Sequence, residues 1–121
     1  MLLDTHFLLW VVLGSPRLEA FPWLAARQPW IVSPISLLEI QFLAEVGRVD
    51  ARPEFFDLLR DDPRFVLDEP ALDGLIRAAL PLRWTRDPFD RMLCAHSLVR
   101  RIPLCSVDRN VRRHHQLIAD S

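Results

Sequence analysis

The chain contains no lysine and no tyrosine, and its fifteen basic residues are all arginine. A nucleotide-binding P-loop needs a Gly-Lys pair, so the sequence excludes that site. Receiver domains, whose acids also follow strands, use a lysine that this chain cannot supply. No G-x-G-x-x-G motif occurs, which argues against a dinucleotide-binding fold. The lack of tyrosine leaves no phenolic hydroxyl to assist at an active site.

Glycine and cysteine are scarce, at three and two of 121 residues. Half of the residues are hydrophobic, which predicts one compact globular domain over residues 1–121. Cys94 and Cys105 belong to no C-x-x-C motif, so we expect reduced thiols and no zinc site. No apolar run reaches the roughly 18 residues of a membrane span, and Asp4 interrupts the first run too early for a signal peptide. These features predict a cytoplasmic protein with no membrane partner.

Short apolar runs alternate with helix-length segments along the chain. This alternation predicts an α/β fold with a parallel sheet covered by helices on both faces. Strands are predicted at residues 1–4, 30–33, 64–68 and 103–107, with a short edge strand at 116–119. Helices are predicted at residues 5–13, 16–27, 34–47, 53–61, 70–81 and 88–101. Pro22 is a candidate break in the second helix, because a mid-helix proline removes a hydrogen bond.

Four acids fall at the same edge of the predicted sheet. Asp4 and Asp108 each follow a strand, while Glu39 and Asp90 lie early in the helices after 33 and 87. In such folds ligands bind beyond the carboxyl ends of the strands. Acids that converge to about 5 Å repel by roughly 3 kcal/mol per pair at an effective dielectric near 20. The cluster would need protons or a cation, and oxygen ligands without cysteine or clustered histidine select Mg²⁺ or Mn²⁺.

Each acid also has a purely structural interpretation as part of a helix cap. Ser36-Leu-Leu-Glu39 matches a capping box. Asp87-Pro88 matches an N-cap followed by proline, with Asp90 favoured by the helix dipole. Asp4 and Asp108 are candidate caps for the helices or turns that follow them. Taken singly, capping is the favoured explanation. Only the joint pattern indicates a metal site and metal-dependent phosphodiester cleavage.

The segments around these acids resemble four motifs of the PIN-domain ribonucleases, specifically the VapC-type toxins of bacterial toxin–antitoxin pairs. The segments are "LLDTHFLLW", "VSPISLLEI", "WTRDPFDRMLCAHSLV" and "PLCSVDRNV", in the family's order and spacing over essentially the whole chain. The resemblance implies a three-layer α/β/α sandwich around a mainly parallel sheet. It implies Mg²⁺- or Mn²⁺-dependent cleavage of RNA, usually tRNA or ribosomal RNA. It also implies homodimers and a cognate antitoxin whose C-terminal segment blocks the site.

The metal site implied by this resemblance has four acids supported by three hydroxyl groups. Three acids would hold the ion directly or through water, and Glu39 would complete its shell or orient the attacking water. Those three acids are Asp4, Asp90 and Asp108. The side chains expected to orient carboxylates or water are Thr5, Ser36 and Ser106. Asp87 matches the N-cap position and ranks below Asp90 as a ligand.

Arg86 and Arg91 flank the third motif, and each is a candidate for contacts with RNA phosphates. A solvated helix start explains them equally well. The "RRHH" stretch at 112–115 is a further candidate for contact with RNA, although an exposed turn is the simpler explanation. The four tryptophans are expected in the core or at an interface, and an apolar surface near "FPWL" (21–24) is expected to accept an amphipathic antitoxin segment. His6 and His96 are expected to be packed helix residues and not ligands.

Two other functions compete with a metal-dependent endoribonuclease toxin. A catalytically silent PIN-like module would bind RNA or a partner without cleaving, and would be expected to lack at least one of the acids. A phosphatase with Asp4 as nucleophile would resemble haloacid-dehalogenase-type enzymes. Those enzymes want a second Asp at the position of His6 and normally use a lysine. The complete acid set therefore favours the nuclease.

Overall fold

The computed structural model describes residues 1–50 and 54–121. Its centre is one sheet of four parallel strands in the order β3-β2-β1-β4. The strands are β1 (Leu2–Leu3), β2 (Trp30–Val32), β3 (Phe65–Leu67) and β4 (Leu104–Cys105). The register aligns Leu2 with Ile31 on one side and with Leu104 on the other. β1 is therefore a central strand, as its apolar sequence predicts.

Six α-helices lie in the described part of the chain. They are α1 (Thr5–Leu13), α2 (Pro34–Glu45), α3 (Glu54–Asp61), α4 (Leu72–Ala79), α5 (Pro88–Arg100) and α6 (Arg109–His114). Helix α5 packs against α2 and α4, and α1 packs against α2. Within the described ranges, no helix is both long and apolar enough to cross a membrane.

Both faces of the sheet are buried. Leu3 packs in one apolar cluster with Phe7 and Val32, whereas Leu2 packs in another with Cys94 and Leu104. Successive residues of a strand point to opposite faces, so adjacent leucines supply two separate cores. Helices α1 and α3 contribute to the first cluster, and α5 and α6 contribute to the second. The predicted three-layer α/β/α sandwich with a parallel sheet is confirmed.

The predicted helix at 16–27 is wrong in its detail. The segment forms two short 3₁₀ helices, Pro16–Ala20 and Leu24–Arg27. Phe21 between them has φ −129° and ψ 60°. A residue before proline is driven out of the α region, so Pro22 ends the first turn and prevents a continuous helix.

Other boundaries differ by smaller amounts. The predicted edge strand at 116–119 is a single parallel bridge between Ile118 and Leu104. The predicted helix at 70–81 spans only Leu72–Ala79, since it is bounded by prolines at 70 and 81. Residue 53, the predicted start of the helix before β3, lies outside the described residues.

Candidate functional site

Two of the predicted site acids lie where neighbouring strands end. Asp4 follows β1 directly, and Asp108 comes three residues after β4. These strands are adjacent in the sheet, but the chain leaves β1 toward β2 on the opposite side from β4. They therefore flank a point where the strand order reverses, and such a point leaves a crevice for ligands at the carboxyl ends of the strands.

The other acids lie early in two helices that pack together. Asp87 is the N-cap of α5 and Asp90 is in its first turn, while Glu39 is in the second turn of α2. Helices α2 and α5 are in contact. We call the five carboxylates the acidic rim: Asp4, Glu39, Asp87, Asp90 and Asp108.

The pKa of Asp90 shows that the members of the acidic rim interact. Burial is the main cause that raises this pKa from 3.8 to about 7, followed by repulsion from Asp87, Asp108, Glu39 and Asp4. Coulomb interactions weaken with distance, so the five carboxylates lie within electrostatic range of one another.

Asp4 is the most deeply placed member, with 7% of its surface exposed. Burial raises the pKa of its carboxyl group, and the charge of Asp108 adds to that effect. Hydrogen bonds from the Phe7 N–H and the Ser106 side chain lower the same pKa, but by less than burial raises it. A buried carboxylate of this kind costs stability unless a proton or a cation accompanies it.

Within residues 1–50 and 54–121, no member of the acidic rim forms an ion pair. The ion pairs there involve other acids, namely Asp62, Asp68, Asp73 and Asp120. In the described part of the chain, the rim is therefore a concentration of acids without an ion-paired basic side chain.

Three rim acids also cap helices, as their structural interpretation predicted. In each of the three carboxylates, Oδ1 accepts a hydrogen bond from a backbone N–H in the first turn of the helix, at 2.9 Å. The capping bonds therefore leave Oδ2 unused. The acids and the helices they begin are Asp4 with α1, Asp87 with α5 and Asp108 with α6. Capping and clustering are thus compatible, because the cap fixes each carboxylate through one oxygen only.

The capping box predicted for Ser36 and Glu39 is wrong. The N-cap of α2 is Ser33, whose Oγ accepts the Ile35 N–H at 3.3 Å. Glu39 instead lies beside the Thr5 hydroxyl, which lowers the pKa of the Glu39 carboxyl group against the larger raising effect of burial. Ser36 is fully buried, with its Oγ 3.1 Å from the Thr5 Oγ1.

The three predicted supporting hydroxyl groups all lie beside rim acids. Thr5 and Ser36 adjoin Glu39, and Ser106 bonds the Asp4 carboxylate. The Ser106 Oγ also accepts the Asp108 N–H at 3.1 Å. Each hydroxyl is at most 2% exposed, so its orientation is held by packing. Their role in orienting a ligand remains a prediction.

The two arginines expected to contact phosphates differ in their surroundings. Arg86 is exposed next to Asp87. The Arg91 Nη2 donates to the carbonyl oxygens of Ala79 and Leu80, at 3.1 and 2.9 Å. These are carbonyl groups at the end of α4 that have no partner within the helix. Arg91 therefore stabilises a helix end, and the phosphate contacts expected of both arginines remain predictions.

His6 is exposed, which contradicts the expectation that it packs in the helix. Its charge lowers the pKa of both Asp4 and Glu39, so it borders the acidic rim and was missed by the sequence argument. His96 is packed as expected. It is fully buried, and its Nε2–H donates to the Asp68 carboxylate at 2.8 Å.

A cavity of about 350 Å³ lies beside the rim at the "FPWL" segment. Its lining includes Phe21 and Trp23 from that segment and Ser106 and Val107 from the loop after β4. The tryptophans pack as expected: Trp30 is buried, and the other three are partly buried against the apolar clusters.

The acidic rim fits a hard divalent cation by its chemistry, since its donors are carboxylate and hydroxyl oxygens. Its present geometry is more open. Among the described residues, no three acidic, histidine or cysteine side chains are grouped closely enough to hold a metal ion. The effects on the pKa of Asp90 show that the other acids lie near it. The donor types fit the ion, but the side chains are spaced more widely than metal ligands are.

Together, the parallel α/β/α fold and the acidic rim at its switch point define a nuclease-type domain. The chain belongs to the PIN domain family, whose model matches residues 1–116. Comparisons with curated proteins and with solved structures gave no match. Family membership confirms the broader resemblance seen in the four motifs, and PIN domains are generally metal-dependent nucleases.

Proposed function

We propose that this chain is a Mg²⁺- or Mn²⁺-dependent endoribonuclease and the cytoplasmic toxin of a VapC-type toxin–antitoxin pair. The observation that carries the proposal is the acidic rim, in which five carboxylates interact without an ion pair among the described residues. Mutual repulsion among partly buried carboxylates destabilises a small domain. A bound divalent cation would neutralise this repulsion.

In the proposed mechanism, Asp4, Asp90 and Asp108 hold the cation, directly or through water. When bound, the ion supplies a water of lowered pKa and stabilises charge on a phosphoryl oxygen. Glu39 would complete the shell or orient the attacking water. The three buried hydroxyl groups would hold the carboxylates in place.

The toxin role is supported by surfaces next to the rim. The cavity at Phe21 and Trp23 is also lined by Ser106, so an amphipathic antitoxin segment seated there would also obstruct the acids.

A homodimer is supported by an exposed apolar face of α4. Leu72, Ile76 and Leu80 recur every four residues on α4 or its end and are 42–66% exposed. An apolar helix face of this kind favours burial against a partner.

Cleavage of labelled tRNA and ribosomal RNA by the purified protein tests the enzymatic proposal. We expect cleavage with Mg²⁺ or Mn²⁺ and none with EDTA. Asp4→Asn and Asp90→Asn should each reduce the rate by roughly a hundredfold or more, since even the groups that orient metal ligands contribute 10–100-fold. The control is Asp57→Asn, an exposed acid in the first turn of α3. Cleavage by Asp90→Asn at the wild-type rate would refute the assignment.

The toxin role has a separate test. Expression in a bacterial host should arrest growth, and co-expression of the protein encoded next to this chain should relieve the arrest. Growth arrest by the Asp90→Asn variant at wild-type strength would separate toxicity from cleavage and contradict this part of the proposal.

The alternative is a catalytically silent PIN module that binds RNA or a partner. The open arrangement of the acids in the described residues favours it. Titration calorimetry with Mn²⁺ distinguishes the two functions: a nuclease binds the ion in the absence of RNA and loses that binding in Asp90→Asn, whereas a silent module releases no heat in either case.

A further inference from the structure

Two chain segments next to the acidic rim carry a local concentration of arginine. Residues 81–86 and 109–119 together contain five arginines and no acid, although the net charge of the chain is −1. The first segment leads directly into Asp87, and the second follows Asp108. A basic surface of this kind attracts phosphates even on a protein with no overall positive charge.

The two segments are joined by an aromatic stack. The rings of Trp84 and His114 lie almost parallel, at an interplanar angle of 10° and a centroid distance of 5.2 Å. The Asn110 Nδ2 donates to the Trp84 carbonyl oxygen at 3.3 Å. The contact therefore ties the loop before α5 to α6, and it brings one ring from each arginine-containing segment together.

His114 is held in this position from two directions. Its Nδ1 lies 3.0 Å from the Asn110 carbonyl oxygen, so the imidazole N–H donates there and Nε2 is left as an acceptor. Trp84 in turn packs against the buried cluster that contains Leu2 and Val111. His114 itself is exposed. The stack thus runs from the core outward and ends on an imidazole ring at the surface.

We propose that the His114 ring, supported by Trp84, stacks an unpaired base of single-stranded RNA, while Arg86, Arg109 and Arg113 contact its phosphates. We name these five side chains, Trp84 included, the RNA platform. The inference rests on the proposed function for the identity of the ligand. The proposal also places the RNA strand along α6 and close to the acidic rim, because Arg86 and Arg109 are the direct chain neighbours of Asp87 and Asp108.

Other residues of this surface are less suited to the same role. Arg112 donates to the Ser106 carbonyl oxygen and to the Asp120 carboxylate, so its guanidinium is already engaged. A basic last turn also stabilises α6 through the helix dipole, which explains charge there but not a flat, exposed ring backed by a tryptophan. Stacking favours single strands, since the faces of paired bases are covered.

Binding of a fluorescein-labelled 12-nucleotide single-stranded RNA, measured by anisotropy in EDTA, tests the platform without cleavage. His114→Ala should weaken binding about tenfold, within the range for loss of one base–aromatic stack. His114→Phe retains a flat ring and should bind within about twofold of wild type. Arg113→Ala should weaken RNA binding. The dependence of its binding constant on salt concentration should become less steep, by the amount expected for the loss of roughly one phosphate contact. Arg60→Ala, in the last turn of α3, is the matched control and should leave binding unchanged.

A set of RNAs, each lacking one base, sharpens the test. At one position, removal of the base should weaken RNA binding by wild type and leave RNA binding by His114→Ala unchanged. Equal binding of wild type and His114→Ala, equal binding of a duplex of the same length, or no binding by wild type would each overturn the platform. Binding in EDTA with these variant effects, but no cleavage in Mg²⁺ or Mn²⁺, would support the platform and refute the nuclease.

Discussion

Replacing Asp90 by asparagine should stabilise the metal-free protein while it removes cleavage. Burial, followed by repulsion from the rest of the acidic rim, raises the pKa of Asp90 from 3.8 to about 7. The folded state therefore binds an extra proton between about pH 4 and pH 7, whereas the unfolded chain has already released it. The stability that this proton provides is present at low pH and is lost as the pH rises through 7.

The size of the effect follows from the two pKa values. The difference between 3.8 and about 7 corresponds to roughly 4 kcal/mol at about 1.4 kcal/mol per pKa unit. Asp90 is partly exposed, so solvent screening reduces this to about 2 kcal/mol. Asparagine also loses a favourable charge at the start of α5, which costs about 0.5 kcal/mol. We expect a net gain of roughly 1–2 kcal/mol at pH 8.

Urea unfolding in EDTA at pH 5 and pH 8 measures the prediction. Asp90→Asn should be more stable than wild type at pH 8, and this advantage should fall to less than half at pH 5, where Asp90 of the folded wild type is protonated. Asp57→Asn should lose a few tenths of a kcal/mol at both pH values, since that acid only favours the start of α3. Added Mg²⁺ should stabilise wild type and not Asp90→Asn, because a ligand stabilises only the state that binds it.

A loss of stability in Asp90→Asn that is the same at pH 5 and pH 8 would refute this reasoning. Asp90 would then act as a simple first-turn acid, and the acidic rim would impose no electrostatic cost that a cation could relieve.

Three further predictions concern the scaffold. Asp68→Ala should cost about 2 kcal/mol at pH 7, since it removes the partner of buried His96 and of Arg100. Burial alone would raise the pKa of Asp68, but those two bonds lower it below 3.8, so in urea unfolding this cost should shrink as the pH falls below about 4. Arg91→Ala should cost about 1 kcal/mol in urea unfolding, because the Leu80 carbonyl oxygen loses its hydrogen bond while the Ala79 carbonyl oxygen keeps only the one from the Leu82 N–H. Leu8→Ala should lower the free energy of unfolding by about 3 kcal/mol, because Leu8 is fully buried; a loss below 1 kcal/mol would mean that the core closes over the gap.

The order of strands and helices could be predicted because hydrophobic period and length differ between them. Adjacent leucines before Asp4 indicated a strand buried on both faces, and their side chains do enter separate clusters. The error at 16–27 has a local cause, because Pro22 dictates the conformation of Phe21. The length of β4 and the bridge at Ile118 depend on pairing with distant strands, which no local pattern encodes.

The placement of the acids at one edge of the sheet was predictable, because strand ends and helix starts share one edge of a parallel sheet. The side chains around them were not. Helix α1 is buried on several sides, from Thr5 through Val11, so its sequence gave no sign that His6 faces outward. Arg91 and the stack of Trp84 on His114 depend on contacts between segments separated by 11 to 30 positions. Only tertiary packing decides such partners.

Because Asp4, Asp87 and Asp108 each begin a helix, their loss has two effects at once. Alanine at these positions would remove a charge and also leave backbone N–H groups at a helix start without an acceptor, so an inactive variant could simply be a less folded one. Asparagine or serine keeps the cap. A related protein that has lost cleavage activity should therefore carry asparagine or serine at these three positions more often than alanine, because selection for the helix caps continues after selection for the charge has ended.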